Sequence, residues 1–153
     1  MPERESLRHK LAIANRILAR EGVVDAFGHI SVRDPDNPGQ YLLSCSRAPG
    51  LVVPGDIGAF ALDGTPAGDQ AGPPYLERYI HGALYETRAD VNAVVHNHAY
   101  ELIPFGITGA GLRPALHVTA VIGETVPVWD IRDKFGDTNL LVTDMDQGRD
   151  LAG

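Results

Sequence analysis

The stretch Asn92-Ala93-Val94-Val95-His96-Asn97-His98-Ala99 is a run of strand-forming residues that ends in two histidines. A strand repeats its side-chain direction every two residues, so His96 and His98 share one face. Their Cα atoms would lie about 7 Å apart, close enough for both imidazoles to converge on one ion. Two half-buried imidazoles bonded to nearby carbonyls are the alternative, but a same-face pair at a strand's end favours a metal. Neutral imidazole suits Zn²⁺, Mn²⁺, Fe²⁺ or Co²⁺, and the two histidines alone do not choose among them.

Working outward, the segment from Tyr75 to Arg88 has Leu76, Ile80, Ala83 and Leu84 at helical spacing, which predicts a helix running into the histidine strand. Glu77 falls near its N-terminus. It is either a carboxylate favoured by the macrodipole or a ligand or general acid/base tuned by burial and an ion. His81 lies four residues on, on the same helical face, and is read as a packed, hydrogen-bonded side chain. Upstream, Glu3 to Glu21 reads as an amphipathic helix stopped by Gly22. Phe27 to Arg33, Gln40 to Ser44 and Ile57 to Leu62 read as strands, the first two joined by a turn rich in Asp, Asn and Pro. Ser44 to Pro54 and Ala67 to Pro74 read as loops. Downstream come a short helix at Tyr100–Phe105, a loop from Gly106 to Pro114, strands at Val118–Ile122, Val126–Val128 and Leu140–Thr143, and a helix opening at Asp146–Ala152. The fold class is α/β or α+β, with helices on both faces of a sheet.

The chain of 153 residues is 44% hydrophobic and 22% charged, which fits one globular domain. Its formal charge of −7, with no basic cluster, argues against nucleic acid as a partner. No apolar run approaches a membrane span and no signal-peptide core is present, so the expected protein is soluble and cytoplasmic. Cys45 is the only cysteine. It excludes an intrachain disulfide and any cysteine-cluster metal site, leaving histidine and carboxylate to hold a transition metal.

Three further segments carry chemistry. Ser44-Cys45-Ser46-Arg47-Ala48-Pro49 places two hydroxyls and an Arg in a loop able to hold a carboxylate, though a solvated Arg47 is equally consistent. Gly28-His29 offers a close backbone approach beside an imidazole, or simply a turn before a strand. His117 is a candidate substrate contact or further ligand, and His9 is read as solvated.

Taken together, Gly28-His29-Ile30-Ser31-Val32-Arg33, Ser46-Arg47-Ala48-Pro49, Glu77-Arg78-Tyr79-Ile80-His81 and Val94-Val95-His96-Asn97-His98 resemble the class II aldolase/adducin family, from the first helix to the last residue. That resemblance implies a three-layer α/β/α sandwich around a largely antiparallel sheet. It implies a divalent metal, zinc or manganese, on His96 and His98, Glu77 as ligand or catalytic acid/base, and a homotetramer with sites between subunits. The phosphate-binding features of the sugar-phosphate aldolases are replaced here by His29, Ser46-Arg47 and Tyr75-Leu76, a site suited to a planar carboxylate with an apolar body. This resembles the branch that decarboxylates hydroxy-carboxymuconic semialdehydes, dihydroxyphthalate and hydroxypyridine dicarboxylate. The family's third metal histidine follows the helix near Asp146, so residues 1–153 are expected to be a single domain lacking its C-terminal part, with His117 a candidate substitute.

The expected activity is thus a metal-dependent carbon–carbon lyase, a carboxy-lyase acting on a small carboxylate. Glu77 and His29 are assigned to catalysis, His96 and His98 to the metal, and Ser46, Arg47 and His117 to substrate. An aldolase or epimerase acting on a sugar or hydroxy acid, and a non-catalytic adducin-like module, are the alternatives.

Overall fold

The alternating residues of the first predicted strands form the middle of a four-stranded antiparallel sheet in the computed structural model, which describes residues 3–153. The strands are β1 (His29–Arg33), β2 (Gln40–Ser44), β3 (Ile57–Ala61) and β4 (Ala93–His96), in the order β3-β2-β1-β4. β1 pairs with both β2 and β4, and its register with β4 sets His29 opposite His96 and Ser31 opposite Val94.

Period-two alternation then sorts the side chains into two cores. Ile30 and Val32 join Leu42, Ala59, Leu11 and Ala12 beneath α1 (Glu3–Arg20). The opposite face carries Tyr41, Leu43, Phe60 and Val94, covered by Tyr85 of α2 (Arg78–Thr87). Leu42 and Leu43 are both fully buried, one on each face, and each contributes roughly 1.5–3 kcal/mol of apolar burial. Helices α3 (Ile103–Thr108), α4 (Arg132–Phe135) and α5 (Met145–Ala152) follow, and α5 packs on α2. Gly148 permits that approach, since a Cβ there would stand 2.7 Å from the Tyr79 carbonyl oxygen. The result is the expected sandwich, with helices on both sides of the sheet.

Several boundaries differ from expectation. α2 begins at Arg78 rather than Tyr75, because the Tyr75 hydroxyl donates to the Arg47 carbonyl and holds that residue outside the helix. β4 ends at His96, level with the first residue of β1, so His98 lies just beyond the ladder. The short helix begins at Ile103 rather than Tyr100 and is closed by Gly109 at φ 69°.

Val118–Ile122 is not a strand. His117–Ile122 forms a 3₁₀ turn, and Val118 and Val121 are exposed with no neighbouring strand among the described residues to pair with. Val126–Val128 forms no ladder either. Leu140–Thr143 is likewise no strand, since Leu140 has φ 66° and a left-handed residue breaks extension. Among the described residues no helix is long and apolar enough to cross a membrane.

Candidate active site

The site forms where β1, the start of α2 and the end of β4 meet. Because His29 and His96 are cross-strand partners, their rings stack with centroids 5.0 Å apart. Gly28 makes this possible, but not by admitting a ligand. A Cβ there would lie 2.7 Å from the Val24 Cβ and 3.0 Å from the His96 carbonyl oxygen, so the missing side chain is space taken by the protein's own backbone and core.

His96 is the centre of the cluster. Its Nε2 lies 3.0 Å from His98 Nε2 and 3.3 Å from Glu77 Oε2. Two nitrogens on one tetrahedral ion, each at about 2.0–2.1 Å, are separated by about 3.3 Å, so the donor set and its spacing fit a divalent metal. Glu77 is the N-cap residue of α2, yet its side chain makes no capping bond and turns to His96 instead. Burial is the largest influence and raises its pKa, but the hydrogen bond to His96 and the fields of His96, His29 and His98 together outweigh it, and the carboxyl is held below its usual range.

His98 is oriented from behind. Its Nδ1 donates to Asp25, 3.1 Å to Oδ2, which leaves the Nε2 lone pair facing His96. Asp25 is fixed in turn, since its Oδ1 accepts the amides of Phe27 at 2.9 Å and Gly28 at 2.8 Å. Partial burial opposes ionisation of Asp25, and the Phe27 amide, His98 and the Gly28 amide together reverse it, so its pKa is lowered.

His29 also enters a grouping with Glu77 and His96, in which single donor atoms of all three lie within 4.8 Å of one another. The hydrogen bonding favours His98 over His29 as the partner of His96. Nδ1 of His98 is oriented by a carboxylate, whereas Nδ1 of His29 lies 2.7 Å from His81 Nε2. His81 Nδ1 lies 2.6 Å from Ser31 Oγ, which lies 2.8 Å from the Tyr85 hydroxyl. All four side chains are almost completely buried. Desolvation, reinforced by neighbouring imidazoles, lowers the pKa of His29 to about 2 and that of His81 to about 3, so both are neutral. Burial pushes the Tyr85 hydroxyl up to about 12.

Beside the cluster is a cleft of about 180 Å³ lined by Phe27, His29, Ser46, Tyr75, Leu76, Glu77 and Leu141. The structure thus brings His29, Glu77, His96, His98 and Ser46 into one neighbourhood. Arg47 follows Ser46 but does not line the cleft. Its Nη1 is tied to Asp56 at 2.9 Å, and its backbone is bracketed by the Tyr75 hydroxyl. His117 stands apart on its exposed turn, with no hydrogen bond to the cluster among the described residues. Cys45 is buried and desolvation raises its pKa, so it is no nucleophile. Sequence reasoning missed Asp25, and it set His81 aside as packing without its link to Ser31 and Tyr85.

Comparison with known proteins bears on the family and the fold. Residues 9–151 match the Class II Aldolase and Adducin N-terminal domain. The chain is 36% identical over 141 residues to "Decarboxylase tropJ" of Talaromyces stipitatus, covering 89% of this chain and 53% of that protein. It is 35% identical over 118 residues to the 3,4-dihydroxyphthalate decarboxylase of Arthrobacter keyseri, covering 70% and 46%. It therefore spans about half the length of these curated relatives. In fold it is similar to the L-fuculose 1-phosphate aldolase from Glaciozyma antarctica PI12, with a TM-score of 0.72 at 24% identity, covering 98% of this chain and 58% of that one. With its antiparallel sandwich and its histidine–carboxylate cluster, the chain belongs to the class II aldolase and adducin family.

Proposed function

We propose that the protein is a divalent-metal-dependent carboxy-lyase acting on a hydroxylated aromatic or muconate-semialdehyde carboxylate. The observation that carries this is that His96 Nε2 lies 3.0 Å from His98 Nε2 and 3.3 Å from Glu77 Oε2, with Glu77 itself lining a cleft walled by Phe27, Tyr75, Leu76 and Leu141. A cavity of about 150 Å³ accommodates one benzene ring, so the cleft is matched to a planar apolar body. The names of two curated relatives, both decarboxylases and each matched over at least 70% of this chain, support carboxy-lyase chemistry, against L-fuculose phosphate aldolases matched over 58% or less.

His96 and His98 would hold zinc or manganese, with Glu77 adjacent. A bound ion supplies Lewis-acid stabilisation of negative charge on a substrate oxygen while the carbon–carbon bond breaks. The remaining steps fall to the protein. Glu77 is ionised at rest and takes the proton of the substrate hydroxyl. Loss of CO₂ leaves an electron pair on carbon, and Glu77 returns its proton there. The product leaves as an oxyanion and is protonated by water.

His29 orients the substrate from the cleft wall. Ser46, which lines the cleft, holds a carboxylate that is retained; Arg47 is tied to Asp56 and would join it only by giving up that ion pair. The departing carboxylate sits where no ion pair would stabilise the ground state. The exposed apolar residues Leu116, Val118, Val121 and Val128 support the homotetramer implied by the family resemblance. An exposed His117 fits a substrate contact given to a neighbouring copy.

The test is to incubate the protein with Zn²⁺ or Mn²⁺ and measure CO₂ release from 3,4-dihydroxyphthalate alongside aldehyde release from a ketose 1-phosphate. CO₂ release that disappears in His96→Ala is expected. Aldehyde release without CO₂, or full turnover in His96→Ala, overturns the assignment.

A further inference from the structure

The buried chain behind His29 begins at Tyr85, a member of the apolar core, and it fixes something the site geometry alone leaves open. Between Tyr85 and His29 run three short contacts: Tyr85 Oη to Ser31 Oγ at 2.8 Å, Ser31 Oγ to His81 Nδ1 at 2.6 Å, and His81 Nε2 to His29 Nδ1 at 2.7 Å. With neutral rings, each link carries one proton, and the whole chain points in one of two directions.

In the first direction Tyr85 donates to Ser31, Ser31 donates to His81 Nδ1, and His81 Nε2–H donates to His29 Nδ1. The donors of Tyr85, Ser31 and His81 are then all met, and the one remaining proton, on His29 Nε2, belongs to a residue that lines the cleft, where a substrate can accept it. In the second direction all three bonds reverse, and the Tyr85 hydroxyl proton has no acceptor among the described residues. Tyr85 is 1% exposed, so water does not replace that acceptor. An unmet buried donor biases an equilibrium by at least about fivefold, which selects the first direction.

We infer that Tyr85, Ser31 and His81 act as positioning residues that lock His29 as its Nε2–H tautomer, making His29 a hydrogen-bond donor to the substrate and not a metal ligand. The inference deepens the proposed decarboxylase reading. It takes His29 out of the grouping with Glu77 and His96 that distance permits: a protonated Nε2 has no lone pair for an ion, and Nδ1 is occupied by His81. The chain also orients a proton without relaying one. Drawing the Nε2 proton off through all three links would leave a phenolate at Tyr85 in the core, which its desolvation opposes.

The test is imidazole ¹⁵N NMR of histidine-labelled protein, without metal and after adding Zn²⁺. His29 and His81 are both expected as Nε2–H. Zn²⁺ should move the Nε2 resonances of His96 and His98 and leave the His29 Nε2 proton in place. In Ser31→Ala the chain is cut, and the Nδ1–H form of His29 should rise severalfold from its minor share. A His29 found as Nδ1–H, a His29 Nε2 that loses its proton to Zn²⁺, or an unchanged tautomer ratio in a folded Ser31→Ala variant each overturns the inference. The wild-type measurement decides even if that variant does not fold. None of these readouts requires turnover, so an inactive protein with the expected tautomers would remove the decarboxylase reading alone.

Discussion

The Asp25 carboxylate accepts a hydrogen bond from His98 Nδ1 at 3.1 Å, across 73 residues of sequence, and is itself gripped by the amides of Phe27 and Gly28. This arrangement sets the His98 tautomer and fixes the direction in which its Nε2 lone pair points. Asp25→Asn keeps an acceptor oxygen for the two amides and removes the negative charge behind the imidazole. Zn²⁺ affinity is expected to fall about 10–100-fold, measured by competition with a chromophoric chelator. An affinity unchanged in Asp25→Asn would show that the pair does not tune a ligand.

Glu77 is where helix chemistry and site chemistry could have been confused. It occupies the N-cap of α2, but its carboxylate spans to His96 and makes no capping bond. Glu77→Gln should therefore leave the melting temperature nearly unchanged while turnover falls by about 10²–10⁴, the usual contribution of a positioned acid/base. Thermal unfolding and CO₂ release measured on the same preparation distinguish the roles. A large drop in melting temperature with turnover retained would mark Glu77 as structural.

Gly28 couples the fold to the site. An alanine Cβ would collide with the Val24 Cβ and the His96 carbonyl, and the carbonyl cannot move without separating β1 from β4 at the His29–His96 pair. Gly28→Ala is expected to cost about 1–3 kcal/mol in urea unfolding and to weaken Zn²⁺ binding as well. Gly111, which has nothing within 4 Å, is the control, and Gly111→Ala should be close to neutral. Equal effects at the two positions would contradict the packing account.

How much of this was legible in the sequence follows from the range of the contacts. The strands at 29–33, 40–44 and 57–61 and the helix before the histidines carry local periodic patterns, and the structure has them. The Glu77–His96 approach follows from a helix running straight into a strand. Asp25 and the Tyr85–Ser31–His81 chain depend on the β1–β4 register and on how α2 lies across β1, which no local pattern encodes. A trace was present nonetheless: His29 and Ser31 at i, i+2, and His81 and Tyr85 at i, i+4, put polar atoms on faces otherwise built to be buried. The failures at 118–122 and 140–143 have a different cause. Val118, Val121 and Leu140 are exposed, and strand propensity counts for little without a paired neighbour to pack against.

The buried histidines also make stability depend on pH in a defined window. His29 and His81 have folded pKa values lowered to about 2 and about 3, against about 6.5 for an unfolded imidazole. Above pH 6.5 neither state binds the extra protons and their contribution is constant. As pH falls below 6.5, the unfolded chain takes up two protons that the native core refuses, so stability is lost at up to about 1.4 kcal/mol per pH unit for each histidine. The carboxyls of Asp25 and Glu77, held below their usual range, contribute only at lower pH, which leaves pH 5.5–7.5 to the imidazoles. In EDTA, urea unfolding should lose about 2–3 kcal/mol between pH 7.5 and pH 5.5. A flat profile over that interval would mean that the two rings accept protons in the native state, and that the pocket holding them is wetter than its packing requires.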